Sequence, residues 1–331
     1  MSNKNIDVDV VLGLQFGDEG KGKITHRLAK QGYDAVFRFN GGGNAGHTIY
    51  HNGQKYVTHL IPCGIFYNTL SVIGNGCVVD INKFFVELDY LRNHGFDTSL
   101  VKIATNAHLI TEEHKEEDSK DVKIGTTRTG NGPCYRDKYA RKGVRADNFS
   151  ELKPYLIDTY DLIYNSGAES FLAEGAQAFG LDIDWGDYPY VTSSHCGIGA
   201  VLLNGFNHNH IRNVYGVMKA YSTYVGAKKF EPDEPQFDKL RNIGGEFGAT
   251  TGRPRQCNWL DLNLVEKAVK INGVNHILVN KMDILQSLSK EYGWNLYLGN
   301  GKYNMNNEQD FKNVITNRFP GIDIEFSYSP E

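Results

Sequence analysis

The sequence predicts an α/β fold: a single large domain around a mainly parallel central sheet, of the phosphate-loop NTPase kind. Three observations carry this. The valine-rich run 8–14 leads directly into a glycine-rich stretch and then a helical segment. A second apolar run, 35–39, leads into a second glycine-rich loop at 41–48. Strand, loop, helix, strand is how an α/β unit with a parallel sheet begins. Glycine-rich segments then recur as far as residue 252. One site collecting loops from the whole length, and one continuous domain over residues 1–331, are therefore expected.

The elements follow in order. Residues 24–31 read as the first helix and 35–39 as the second strand. Residues 72–80 read as a further buried strand. A helix comes next, with Phe84, Leu88 and Leu91 on one face and Gly95 at its end. The charge run 112–123 reads as a solvated surface segment. Residues 231–236 hold two prolines and three acids and read as a loop. Asp261 is placed to cap a helix running to about residue 272, with Gly273 behind it. Residues 276–280 read as a strand, and 299–310 as a polar, asparagine-rich surface loop.

Composition bounds the function. At 331 residues the chain is long enough for a substantial core. Its 36 glycines exceed the roughly 7% of average usage, which suggests backbone loops that approach a ligand closely. A formal charge of -4 gives no pull toward nucleic acid or an anionic membrane. The five cysteines (Cys63, Cys77, Cys134, Cys196 and Cys257) form no C-x-x-C pair, so free thiols in a reducing compartment are expected. No apolar run approaches the roughly 18 residues of a membrane span. With no secretory signal visible at the polar start, a cytoplasmic protein is the default.

The chemistry is concentrated in four motifs. Gly17, Asp18, Glu19, Gly20, Lys21, Gly22 and Lys23 satisfy G-x-x-x-x-G-K between a strand and a helix. Glycines let backbone N–H groups face phosphate oxygens, the helix start adds its positive dipole end, and lysine adds a charge. Ile24 stands where Ser or Thr would hold Mg²⁺, which makes Asp18 the candidate metal ligand. Asn280-Lys281-Met282-Asp283 matches N-K-x-D, whose aspartate accepts from guanine N1–H and the 2-amino group. Adenine offers neither donor and would leave a carboxylate unpaired. His47 closes the glycine-rich loop 41–48 and is placed to act as a general acid or charge stabiliser on a phosphate. Thr251, Arg253 and Arg255, around a glycine–proline turn, suit carboxylates or phosphates. The stretches 124–127 and 175–177, the latter followed by 188–194, carry hydroxyls and an amide suited to a nucleoside monophosphate.

Together these segments resemble the adenylosuccinate synthetase family. The resemblance rests on QFGDEGKGK at 15–23, NGGGNAGHT at 40–48, IGTT at 124–127 and RDKYARKG at 136–143. EGAQ at 174–177, LDIDWGDYPYVTSS at 181–194, KAYST at 219–223, EFGATTGRPR at 246–255, WLD at 259–261 and NKMD at 280–283 continue it in the family's order. It implies a ligase that joins L-aspartate to IMP with GTP and Mg²⁺ through a 6-phosphoryl intermediate. Asp18 would take the N1 proton and bind Mg²⁺, with the Gly46 carbonyl as a second ligand. His47 would stabilise the transferring phosphoryl, and Lys21 would neutralise charge there. Gly17, Glu19, Gly20, Gly22 and Lys23 would hold GTP, with Lys281, Asp283 and Ser327 around guanine. Asn44, Thr127, Gln177 and Thr192 would hold the monophosphate substrate. Arg141 would reach it from a neighbouring subunit, which implies a homodimer. Thr251, Arg253 and Arg255 would hold the aspartate carboxylates.

The chain departs from the common form. It is shorter between Arg145 and Phe171, as archaeal and viral members are. Arg128-Thr129 stands where Gly-Arg is usual, Tyr224 follows KAYST in place of arginine, and Ser329 replaces a glycine. A short form brings an alternative acceptor, dGMP, as in phage relatives that make a 2-aminoadenine precursor. Many of those lose the loop aspartate and the guanine motif. Asp18, Asn280, Lys281 and Asp283 are all present here, which favours IMP and GTP. A GTP-binding switch without ligase activity is the remaining alternative, but it has no use for TTGRPR or a second nucleotide site.

Overall fold

β1 (Asp7–Gly13) is buried on both faces: Val8, Val10 and Leu12 join one buried cluster, while Val11 joins another with Ile24 and Leu28 of α1 (Lys21–Ala29). A strand buried on both faces belongs inside a parallel sheet. The computed structural model, which describes residues 6–248 and 252–329, shows that sheet. Its further strands are β2 (Ala35–Arg38), β3 (Leu70–Ile73), β4 (Val101–Ala104), β5 (Leu156–Ile157), β6 (Ser170–Glu174), β7 (Ile211–Lys219), β8 (His276–Asn280) and β9 (Asp323–Phe326). The order is β5-β4-β3-β2-β6-β1-β7-β8-β9, with every neighbouring pair parallel. The connections after β1 run to β2 on one side, whereas β7 lies on the other. The strand order therefore reverses around β1, and ligands of such sheets bind outside the carboxyl ends at that switch point.

The remaining helices that frame the site are α2 (Ile81–Asn93), α3 (Glu112–Ser119), α4 (Asn131–Ala140), α5 (Pro235–Gly244), α6 (Leu262–Asn272), α7 (Met282–Tyr292) and α8 (Glu308–Arg318). Asp261 caps α6 by accepting from the Asn263 and Leu264 amides, and Gly273 ends it at φ 61°, as the sequence predicts. A smaller four-stranded sheet of Tyr221–Tyr224, Gln256–Asp261, Trp294–Leu298 and Gly301–Met305 packs beside the main one. All five cysteines are free and buried. Among the described residues no helix is long and apolar enough to cross a membrane.

Four expectations are corrected. The first helix begins at Lys21, inside the glycine-rich motif, because Gly20 adopts φ 90° and serves as its N-cap. Residues 72–80 are not one strand: β3 ends at Ile73 and Val78–Val79 resumes after a turn that carries three glycine or asparagine residues. The charge run is not merely solvated. It forms α3 with a Thr111 capping box, and His114 and Asp118 are buried. The asparagine-rich segment is not a loop, because Gly301–Met305 pairs antiparallel with Trp294–Leu298 and Asn307 caps α8. Polar side chains on an edge strand leave no apolar alternation to read.

Candidate active site

The loops that follow β1, β2 and β6 converge with segments 121–133, 190–193 and 253–255 on one cavity of about 710 Å³. Asp18, Lys21, Asn44, Gly46, His47 and Gln177 line it, as do Thr127, Thr192, Arg253 and Arg255. Residues predicted from separate motifs thus share one space. Thr251 lies outside the described residues.

The phosphate loop is braced from within. Glu19 is fully buried, and its Oε1 accepts from the Gly17 amide at 2.8 Å and the Gln15 amide at 3.2 Å. Its Oε2 lies 2.6 Å from Lys21 Nζ. The Glu19 carboxylate is therefore spent on the loop. Asn280 Nδ2 donates to the Glu19 carbonyl at 2.8 Å, and an added Cβ on Gly20 would stand 2.9 Å from that nitrogen. Gln15 ties the loop to the end of β7, accepting from the Lys219 amide at 2.9 Å and donating to the Tyr221 carbonyl at 3.0 Å.

His47 opens a hairpin, His47–His51 with Gln54–Thr58, packed against the first turn of α1. An added Cβ on Gly22 would stand 2.8 Å from His47 Cβ. His47 Nδ1 is 2.9 Å from Glu174 Oε1, and Arg38 Nη2 is 3.0 Å from the same oxygen. Burial, then the Arg38 charge, pushes the imidazole down to about 4 against the pull of Glu174. Burial alone would raise Glu174, but Arg38 and His47 hold it down to about 2. At neutral pH this is a neutral imidazole with its Nδ1 against an ionised carboxylate, leaving Nε2 for the cavity.

Asp18 adopts φ 59°, and its Oδ2 lies 2.7 Å from Arg255 Nε. Arg255 Nη1 is 2.6 Å from Glu246 Oε2, which also receives Lys219 Nζ at 2.8 Å, while Tyr221 donates to Oε1 at 2.5 Å. Arg253 Nη1 reaches the Gly125 and Thr126 carbonyls at 3.4 and 3.5 Å, linking its turn to the 124–127 loop. Asn44 Oδ1 accepts from Gln177 Nε2 at 3.2 Å and the Gly42 amide at 3.3 Å. Thr127 and Thr129 hydroxyls are 2.9 Å apart.

One predicted placement differs. The lysine that completes G-x-x-x-x-G-K, Lys23, turns away from the cavity and donates to Ser327 Oγ at 2.8 Å and the Ser329 carbonyl at 2.6 Å. Lys21 is the loop lysine that lines the cavity. Lys281 and Asp283 sit half-buried at the start of α7, outside the cavity lining. The Met282 amide there donates to the Ser327 carbonyl at 3.1 Å. Arg141 is exposed at the end of α4 and does not reach the cavity of its own chain. Sequence reasoning gave no role to Glu174, Arg38, Glu246 or Lys219. A signal for the first two existed: each is a charge ending an otherwise apolar strand.

Comparison with known proteins decides the family. A family model described as adenylosuccinate synthetase matches residues 10–151 and 146–321. The chain belongs to the adenylosuccinate synthetase family. It is 41% identical to the adenylosuccinate synthetase of Syntrophomonas wolfei, covering 85% of this chain and 78% of that one. With the Fusobacterium nucleatum adenylosuccinate synthetase it shares 39%, over 85% of this chain and 79% of that one. A fully ligated adenylosuccinate synthetase from Plasmodium falciparum superposes with TM-score 0.77 at 34% identity, covering 86% of this chain and 78% of that one. The succinoaminodeoxyadenylate synthetase of cyanophage S-2L, bound to dGMP and dATP, shares the fold with TM-score 0.71 at 20% identity, over 95% of this chain and 99% of that one.

Proposed function

We propose that this chain is a GTP-dependent ligase that joins L-aspartate to the 6-position of IMP, giving adenylosuccinate through a 6-phosphoryl intermediate. The observation that carries the reading is the convergence of Asp18, Lys21 and His47 on one cavity with Asn44, Gln177 and Thr192. Asp18 takes the purine N1 proton, and its pairing with Arg255 orients the carboxylate. The 6-oxygen then attacks the γ-phosphorus, and the bond from that phosphorus to the β,γ-bridging oxygen breaks, so that GDP leaves. Lys21 sets a positive charge beside the transferring group. Burial and the Arg38 charge hold His47 neutral, and incoming phosphate charge favours its protonated form. Glu174 holds Nδ1, so the added proton stands on Nε2 and faces the phosphoryl oxygens. The aspartate amine then displaces phosphate from C6. Arg253 and Arg255, with Thr251, hold the aspartate carboxylates. Asn44, Thr127, Gln177 and Thr192 hold the acceptor.

Gly17, Glu19, Gly20 and Gly22 present backbone to the GTP phosphates, and Lys23 supports them through the carboxyl-terminal segment. Lys281, Asp283 and Ser327 read guanine. The donor set suits Mg²⁺: the Asp18 carboxylate and the Gly46 carbonyl are hard oxygens lining the same cavity. These two would hold the ion, which would neutralise phosphoryl charge. Arg141, exposed and clear of its own cavity, would serve a partner's site, giving a homodimer. One catalytic domain over residues 1–331, a cytoplasmic location and the short archaeal or viral form complete the reading.

The second reading, dGMP as acceptor, is favoured by extent: the match to the phage synthetase covers 99% of that chain, whereas the curated bacterial relatives named above are covered over 78–79%. Against it stands the complete NKMD at 280–283. Phosphate release from GTP with Mg²⁺ and L-aspartate, run with IMP and with dGMP, tests both. Turnover with IMP is expected. Turnover with dGMP alone would transfer the reading to the second acceptor, and turnover with neither would overturn it.

A further inference from the structure

Asn131 is the first residue of α4 and lines the cavity, yet no motif singles it out. It is 7% exposed, and neither Oδ1 nor Nδ2 has a hydrogen-bond partner among the described residues. A buried carboxamide with both ends unmatched is costly, and its placement on a cavity wall points to a ligand that accepts from Nδ2. Its side chain is fixed against the glycine-rich loop: an added Cβ on Gly42 would stand 2.8 Å from Asn131 Oδ1. That same loop carries Asn44, and the Gly42 amide donates to Asn44 Oδ1.

The surroundings select an anion. The start of α4 is capped by Gly130 at φ 80° with no side-chain cap, so the Asn131 and Gly132 amides are open to a ligand (Pro133 has none), and Gly132 also lines the cavity. Lys83, near the start of α2, lines the same wall, 3.4 Å through its Cδ from an added Cβ on Gly43. Among the described residues Lys83 pairs with no carboxylate, and the nearby Asp80 is taken by Lys115 at 2.9 Å. The acids on this wall are already committed. Asp118 Oδ2 accepts from the Gly130 amide at 2.8 Å. Asp121 Oδ2 accepts from the Ile124 and Gly125 amides at 3.1 and 3.2 Å. Glu117 pairs with Arg136.

We propose that Asn131, Lys83 and the open start of α4 bind the phosphate group of the acceptor nucleotide from within the chain. The inference rests on the reading of this cavity as the acceptor site. Asn131 Nδ2 donates to a phosphate oxygen, Lys83 supplies a cation, and the helix start supplies backbone donors.

The test is calorimetric titration of the full chain with IMP and with inosine, which lacks the phosphate. Lys83→Met, Asn131→Leu and Asn131→Asp are compared with the wild type, and thermal melting checks that each variant is folded. Lys83 is exposed, so its variant reports independently of core packing. IMP binding is expected to weaken about tenfold in Lys83→Met and Asn131→Leu, and further in Asn131→Asp, which sets a carboxylate against the phosphate. Inosine binding is expected to stay at its wild-type value. Undiminished IMP binding in Lys83→Met and Asn131→Asp, or equal weakening of IMP and inosine, would overturn the proposal. Wild-type protein that binds neither IMP nor dGMP would instead overturn the acceptor reading itself.

Discussion

The two ends of the proposed nucleotide site are built from different materials. At the phosphate end, Glu19, Glu174 and Glu246 are fully buried, and each meets at least one cation at 2.6 to 3.0 Å. Arg38, Glu174 and Lys219 end β2, β6 and β7, Glu19 stands in the loop after β1, and Glu246 follows α5. At the proposed guanine end, Lys281, Asp283 and Ser327 are half-buried at the start of α7 and after β9, and half-buried Lys23 of α1 donates to Ser327. In water-excluded surroundings, a charge stripped of its partner stays stripped. At a half-exposed site water takes over. The phosphate end is therefore expected to fail abruptly on substitution, and the guanine end to shift in preference.

The largest effect is expected at Glu246. Glu246→Ala leaves Lys219, 2% exposed, and Arg255 without their shared carboxylate. Removing one member of a buried pair costs about 3–5 kcal/mol, to be read from the denaturant midpoint. An unfolding free energy within about 1 kcal/mol of wild type would show that water reaches Lys219.

His47→Asn comes next, with kcat expected to fall by about 10²–10⁴. The pH profile of stability sharpens this. His47 and Glu174 are both held below their ordinary values, at about 4 and about 2. A group with a depressed folded pKa favours the fold above its unfolded pKa and loses that contribution as pH falls. Stability is thus full above about pH 6.5. His47 withdraws its share between there and about 4, and Glu174 between about 4.5 and 2. In His47→Asn the slope between pH 6.5 and 4 should become shallower. His26 leaves a remnant, since burial and His51 hold it to about 4 as well. An unchanged slope would mean that His47 is protonated in the fold.

Smaller effects belong to the guanine end. Asp283→Asn is expected to lower the preference for GTP over ATP by about 10–100-fold with kcat retained, the scale of a charged hydrogen bond. Ser327→Ala removes a neutral acceptor from Lys23 and should raise the GTP KM by less than about tenfold. A collapse of kcat in either variant would erase the contrast between the two ends.

Much of this was legible in the sequence. The first strand, the loop and the second strand announce themselves because glycine clusters interrupt valine-rich runs, and Asp261 with Gly273 brackets α6 by local capping chemistry alone. The motifs also place Asp18, His47 and Arg255 in one site. What escaped depends on contacts distant in sequence. Arg38 and Glu174 are 136 residues apart, and only the pairing of β2 with β6 sets them side by side. The turning of Lys23 toward Ser329 needs the last strand in place. The buried side of α3 was hidden because Asp118, an acid in a charge run, serves the Gly130 amide.

The most direct test of the central claim is aspartate-dependent phosphate release from GTP and IMP by Asp18→Ala beside the wild type. Turnover in the wild type and none above background in Asp18→Ala is the expected result. Turnover retained in Asp18→Ala would contradict the assignment of Asp18 as the base that opens the reaction.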